Sequence, residues 1–301
     1  MSIVAIVNPI SGAGMDPEAA NRRVAMIRDE LGRRRLDGSV HLTEGAGHAR
    51  EMAARAASDR ADLVIVWGGD GTVNEVGGGL AGSETPLGLI PAGSGNGLAA
   101  ALGVARDPKT AITIALDGRT MPVDMGKLDD RPFFNVAGIG FDAHVAHLFN
   151  QRARGRRGRL PYVVIGVREG CRYTGAEYTI TLDNGSPGSS TTTVSKALLI
   201  AFANGQEYGM GIRIAPQARL DDGLLEACIV EDRPVVSRFL HARHLATGSI
   251  ARAPRITLRS VRSATVQSTS PIVYHVDGEP GLAQGSLRVT IEPGALKVRV
   301  R

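Results

Sequence analysis

Residues 62–80 read DLVIVWGGDGTVNEVGGGL, and the fold turns on this stretch. Asp62–Trp67 is an apolar, β-rich run without alternation, the pattern of a strand buried on both faces. It breaks at Gly68-Gly69-Asp70-Gly71-Thr72, a glycine turn, and the spacing then predicts a helix from about Thr72. The same unit recurs on either side. Upstream, Ser2–Val7 is predicted as a strand, Asp16–Arg35 as a helix, Ser39–Thr43 as a strand and Gly47–Ser58 as a helix. Downstream, Pro86–Ile90 reads as a strand, a second glycine turn follows, and a helix is expected from about Asn96. Pro108, placed behind Asp107, opens a further helix that stops at Gly118. Strands alternating with helices in this way imply an α/β domain with a parallel sheet covered on both faces.

After about Met121 the rhythm changes. Short strands are expected at Val123–Leu128, Pro132–Val136, Glu177–Leu182, Val194–Ala203, Leu224–Val230, Arg255–Leu258, Ala264–Ser268, Ile272–Val276, Ser286–Glu292 and Leu296–Val300. Turn residues separate them, and helices are expected near Asp142–Gln151, Leu160–Cys171 and Val235–Thr247. Many short strands at regular spacing imply an antiparallel all-β domain, a sandwich or barrel. The division is placed at residues 1–123 and 124–301, and the last strand is left the option of packing back on the first domain.

The chain has 301 residues, 43% of them hydrophobic and 22% charged, which excludes wholesale disorder and suits about two domains. Its longest apolar run, Ala197–Ala203, is strand-sized, and the start of the chain lacks the basic region of a signal peptide. Cys171 and Cys228 form no C-x-x-C, so neither a disulfide framework nor a zinc site is indicated, and a soluble cytoplasmic protein is expected. Asn184-Gly185-Ser186 is read as a turn. The formal net charge of +5 is too mild for nucleic acid, and 12 aromatic residues offer few bases a stacking surface. By contrast, 38 glycines, clustered and not periodic, point to loops where backbone closely approaches a ligand.

Three such clusters each follow a strand of the first domain: Asn8-Pro9-Ile10-Ser11-Gly12-Ala13-Gly14, Gly68–Thr72 and Gly93-Ser94-Gly95-Asn96-Gly97. In an open α/β sheet, turns at the carboxyl ends of strands line the ligand crevice, and their N–H groups suit phosphates. Other chemistries lack their motifs. There is no GxxxxGK[ST], and Ala92 and Asn96 stand where a serine elbow around Ser94 needs glycine. Gly138-Ile139-Gly140-Phe141-Asp142-Ala143 matches the dinucleotide pattern G-x-G-x-x-A but lies in the β-rich half without a βαβ context. His144/His147 and His241/His244 are spaced i, i+3 with no third ligand nearby, which favours packing over metal.

GGDGTVNEVGGGL (68–80) followed by LGLIPAGSGNGLAAALG (87–103) resembles the diacylglycerol kinase catalytic family of lipid kinases, which includes the sphingosine and ceramide kinases. NPISG, GIGFDA (138–143), APQARLDDGLLE (215–226) and VDGEP (276–280) fall in that family's order, so the resemblance spans nearly the whole chain. It implies an ATP site in the cleft between an α/β domain and a β-rich domain. On matching positions, Asn8, Pro9, Ser11, Gly12, Thr43, Gly68, Gly69, Asp70, Gly71, Thr72, Val73, Asn74 and Ser94 would contact ATP. The resemblance makes Glu279 the catalytic base, with Asp70, Asp277 and Asp124 as further catalytic carboxylates, Asp70 also serving a nucleotide-bound Mg²⁺. It further implies a structural Mg²⁺ held by the Asp222 carboxylate and the main-chain oxygens of Arg219 and Leu224. From the residues alone, Asp277-Gly278-Glu279 and Asp221-Asp222-Gly223 are turns.

The chain departs from the family's pattern at several positions. Ala13 stands where a basic residue often follows the first glycine, Gly97 where bacterial diacylglycerol kinases have an acid, and His144 and Ala146 where sphingosine kinases carry acids. Arg152, Arg154, Arg156, Arg157 and Arg159 form an acid-free basic run: a solvated loop, a contact to anionic headgroups, or, for Arg156 and Arg159, a contact to ATP. The expected activity is ATP- and Mg²⁺-dependent phosphorylation of a diacylglycerol-like lipid met by peripheral contact at the membrane surface, with a homodimer left open. The rivals are a sphingoid or ceramide kinase, a soluble-substrate kinase of the NAD kinase type, and a nucleotide-binding module without turnover.

Overall fold

The computed structural model describes residues 2–12, 17–152, 159–188, 190–208, 212–234, 250 and 253–301. It comprises two compact units, Met1–Val123 with Gly294–Arg301, and Asp124–Pro293.

In the first unit the chain runs β1 (Ser2–Val7), α1 (Pro17–Arg33), β2 (Asp37–Leu42), α2 (His48–Ser58), β3 (Leu63–Gly68), α3 (Asp70–Leu80), β4 (Leu87–Pro91), α4 (Gly97–Ala101) and α5 (Pro108–Asp117). The pairings among β1, β2, β3 and β4 are parallel, in the order β2–β1–β3–β4. The last strand of the chain, Ser286–Val300, brings Val298 alongside Leu87, also in parallel. Every residue of β3 is buried, as its unbroken apolar run requires. α5 starts where Asp107 accepts the Thr110 N–H at 2.9 Å with Pro108 behind it. The chain leaves β1 toward β2 on one side and returns to β3 on the other. The strand order therefore reverses between β1 and β3, the kind of place where open α/β sheets bind ligands.

The second unit is antiparallel. β5 (Arg119–Leu128) enters it and pairs with β6 (Arg131–Phe133). β7 (Val136–Gly140), α6 (Phe141–Arg152), α7 (Arg159–Gly170), β8 (Ala176–Asp183), β9 (Thr191–Ala203), β10 (Leu225–Glu231), β11 (Ile256–Val261), β12 (Ser263–Gln267), β13 (Ile272–Val276), β14 (Glu279–Ala283) and β15 (Ser286–Val300) follow. β9 pairs with β8 through Thr191–Ala197 and with β7 through Leu199–Ala203, so this one long strand joins the two along different parts of its length. Successive residues of β9 face opposite ways. Ile200 and Phe202 join a core with Phe133, Ile139, Tyr178 and Val266, whereas Leu199, Ala201 and Ala203 join one with Val136, Ile214 and Cys228. Two buried faces explain the unbroken apolar run at Ala197–Ala203.

Three expectations change. Pro132–Val136 is not one strand, because the N–H groups of Phe134, Asn135 and Val136 turn to a carboxylate and break the ladder between β6 and β7. Ile272–Val276 pairs with Glu279–Ala283 through a two-residue turn, a strand that its proline and glycine conceal. Ser286–Glu292 and Leu296–Val300 are one continuous strand. The helix expected over Val235–Thr247, with His241 and His244, lies outside the described residues.

Candidate functional site

The carboxyl ends of β1, β3 and β4 carry the three glycine turns, and side chains lock them together. Asn8 Nδ2 donates to Thr72 Oγ1 at 2.8 Å, tying the first turn to the second. Asp70, in the first turn of α3, accepts the Asn96 N–H on Oδ2 at 2.8 Å and the Gly97 N–H on Oδ1 at 2.7 Å, tying the second to the third. Asn96 takes the left-handed conformation (φ 54°) and closes its own turn, accepting from Gly93 N at 2.7 Å and donating to Gly93 O at 2.6 Å. Gly12 (φ +73°) lies so close to the third turn that a Cβ there would run into the Ala92 carbonyl oxygen.

Of the residues expected around a nucleotide, Asn8, Pro9, Ser11, Gly12, Gly68–Asn74 and Ser94 lie on these turns or on the first turns of α3. Thr43 follows β2 and donates its N–H to Val7 O at 3.0 Å. Asp70 emerges as the brace of the third turn, a role its position in the motif did not disclose. Glu75 is likewise a brace, accepting Gly47 N at 2.9 Å and Ala49 N at 3.2 Å at the start of α2. Arg156 lies outside the described residues, and of Arg159 only its place at the start of α7 is described.

The remaining candidates fall in the second unit. Asp277 and Gly278 form the turn between β13 and β14, both with positive φ (47° and 87°), as a tight two-residue hairpin requires. The Asp277 carboxylate accepts Phe134 N at 2.9 Å and Asn135 N and Val136 N at 3.0 Å each. Asp277 was expected among the catalytic carboxylates; its geometry is that of an anchor. Glu279, two residues on, is exposed. Behind the turn lies a trio whose association the sequence reading did not anticipate, buried His275 and Asp142 with half-buried Tyr208. His275 Nδ1 accepts the Gly278 N–H at 3.3 Å, which leaves Nε2 to donate to Asp142 Oδ2 at 3.3 Å, and Tyr208 donates to that same oxygen at 2.7 Å. Burial, with the Asp142 and Glu226 carboxylates nearby, pushes the Cys228 thiol up to about 12, so this cysteine is no nucleophile.

Asp124 is 2% exposed; its N–H donates to Leu220 O at 2.7 Å and its Oδ2 accepts Gly223 N at 2.7 Å. It was expected in the catalytic set, and in the fold it holds the 220–223 turn. Asp222 on that turn is exposed, and its Oδ1 accepts Leu224 N at 3.0 Å. Among the described residues no three His, Cys, Asp or Glu side chains could together hold a metal. A cation at Asp222 would need main-chain oxygens, and such an all-oxygen set suits Mg²⁺ or Ca²⁺. Fully buried Asn204 connects the two turns, its Nδ2 donating to Asp124 O at 2.8 Å and Phe134 O at 3.0 Å.

Residues 2–128 match the family described as the diacylglycerol kinase catalytic domain, and residues 135–300 the YegS C-terminal NAD kinase beta sandwich-like domain. The chain is 34% identical over 236 residues to a diacylglycerol kinase of Mycobacterium tuberculosis, covering 76% of this chain and 73% of that one. It is 29% identical over 296 residues to a protein of Cronobacter sakazakii named as a YegS-like lipid kinase, covering 97% and 94%. In fold it is similar to a solved diacylglycerol kinase of Bacillus anthracis, with TM-score 0.72, 21% identity and coverage of 100% and 97%. It is more distantly similar to yeast NADH kinase, with TM-score 0.51, 11% identity and coverage of 100% and 84%. Among the described residues no helix is long and apolar enough to cross a membrane.

Proposed function

The chain belongs to the diacylglycerol kinase family of lipid kinases, and from that premise we propose that it transfers the γ-phosphate of ATP, with Mg²⁺, to a hydroxyl of a diacylglycerol-like lipid. The observation that carries the reading is the set of three glycine turns locked together where the strand order reverses. Turns without side chains let phosphate oxygens reach main-chain N–H groups, which positions the chain of phosphates and offsets its charge. Phosphoryl transfer asks the protein for little more than positioning and charge stabilisation. Mg²⁺, when bound with the nucleotide, would supply neutralisation of the phosphate charge.

Within this proposal Glu279 takes the proton of the attacking hydroxyl. Glu279 is exposed, and the backbone turn that carries it is held from one side by Asp277 and from behind by His275, so that turn is in place before substrate arrives. Asp222 with the main-chain oxygens of Arg219 and Leu224 would hold a structural Mg²⁺, and Asp124 keeps that turn in shape. The lipid is met at the bilayer surface.

The test is incubation with γ-labelled ATP and Mg²⁺ over a panel of diacylglycerol, ceramide, sphingosine and NAD, followed by organic extraction. Label in the organic phase with diacylglycerol supports the proposal. Label extracted only with a sphingoid lipid replaces the substrate, label in water on NAD replaces the class, and ATP binding without product makes the chain a nucleotide-binding module.

A further inference from the structure

Arg23 played no part in the sequence reading. It lies on α1, is 8% exposed, and stacks its guanidinium over the ring of Trp67 at 5.8 Å from the centroid. Both arms of its fork reach the first glycine turn, one donating to Asn8 O at 2.9 Å and the other to Ser11 O at 2.5 Å. Among the described residues no carboxylate is in ion-pair contact with it. A buried cation held by carbonyl dipoles and a ring face, without a described counter-charge, is costly to keep. Its pKa is accordingly lowered, by burial first and by the neighbouring Arg22 second.

The orientation of the turn shows what that charge can serve. In a planar trans peptide the carbonyl and the following N–H point in opposite directions, and the chain has no cis bond among its described residues. With Ser11 O drawn onto Arg23, the Gly12 N–H is turned away from it. Gly12 is exposed, has no side chain to cover that N–H, and donates it to no described group. An oriented donor thus stands on one side of the peptide and a fixed positive charge on the other. Ala13, where the family often has a basic residue, contributes none.

Building on the ATP reading above, we propose that Arg23 is the positioning residue of the phosphate site, aiming the Gly12 N–H at a phosphate of the nucleoside triphosphate and backing it with positive charge. The effect must grow with the number of phosphates, because it acts on their charge and not on the base.

Calorimetric titration of the wild type, Arg23→Met and Arg23→Lys with ATP and AMP tests this, alongside steady-state lipid phosphorylation. A bond to a charged group is worth about ten- to hundredfold in affinity, so Arg23→Met should bind ATP weaker by about that factor and AMP by less than about threefold. Arg23→Lys, which keeps the charge and gives up the fork, should recover part of the loss and stay about fivefold or more weaker than wild type. In both variants KM for ATP should rise while KM for lipid stays put. Wild-type ATP affinity in Arg23→Met, or equal losses for ATP and AMP, would overturn the inference. If circular dichroism shows Arg23→Met unfolded, Arg23→Lys decides alone, and unchanged ATP affinity there overturns it. A wild type that binds no ATP overturns the proposed function itself and this inference with it.

Discussion

Asp277 offers the sharpest separation of an anchor from a reacting group. Replacing it with Ala removes three hydrogen bonds, from Phe134 N, Asn135 N and Val136 N. A bond to a charged acceptor contributes about 1.5–3 kcal/mol when buried; Asp277 is only half-buried, so about 1 kcal/mol each, or about 3 in total, is expected. Its φ of 47° adds about 1 kcal/mol for Ala, which has no polar side chain to favour the left-handed region. Asp277→Ala should therefore cost about 4 kcal/mol and Asp277→Gly, free of the second penalty, about 3. In Asp277→Asn the remaining oxygen can still serve Asn135 and Val136, which share Oδ1, so the cost falls to about 1–2 kcal/mol. Urea unfolding followed by far-UV circular dichroism reads these values if m stays constant. The expected order is wild type, Asn, Gly, Ala. An Ala variant as stable as Gly would refute the strain argument, and one as stable as wild type the anchoring itself. A fully stable but inactive Asp277→Asn would place Asp277 in the chemistry.

Glu279→Gln should slow turnover about 10²–10⁴-fold with ATP affinity and urea midpoint unchanged; a loss below tenfold in single-turnover experiments removes it as base. Mg²⁺ should raise the melting temperature of the wild type and not of Asp222→Ala, whereas an equal response in both would place the stabilising cation elsewhere. Hydrogen bonds from Arg33 and Arg34 hold the Glu30 carboxyl at about 2, against an ordinary 4.5. Because the folded pKa lies below the unfolded one, the stabilisation is full above pH 4.5 and is lost as pH falls toward about 2. Glu30→Gln should flatten the stability curve across that interval, and curves that stay parallel would dismiss the pairing. Replacing Arg152, Arg154 and Arg157 with Gln should weaken binding to anionic vesicles in a salt-dependent way and spare turnover on detergent-dispersed lipid; equal losses in both would assign the run to the nucleotide or the fold.

What the amino-acid order determines by itself is local. The unbroken run at Leu63–Trp67, the glycines that end it, Asp107-Pro108 before α5 and the closely spaced strands after residue 121 each state a preference within about ten residues. Those preferences suffice for an α/β unit followed by an antiparallel one, and for glycine turns at strand ends. Partnerships between distant residues are another matter. Asp70 braces Asn96 and Gly97, Glu75 caps a helix 26 residues earlier, Asp277 gathers N–H groups more than 140 residues upstream, and Arg23 reaches back under Asn8 and Ser11. Each of these charged side chains reads in sequence as an ordinary polar residue or as a candidate for chemistry. A carboxylate can serve equally as proton acceptor, metal ligand or clamp for N–H groups, and which it becomes depends on the donors that the folded backbone leaves unsatisfied beside it. That supply of unpaired donors exists only once the strands and helices have met, so tertiary structure alone decides it.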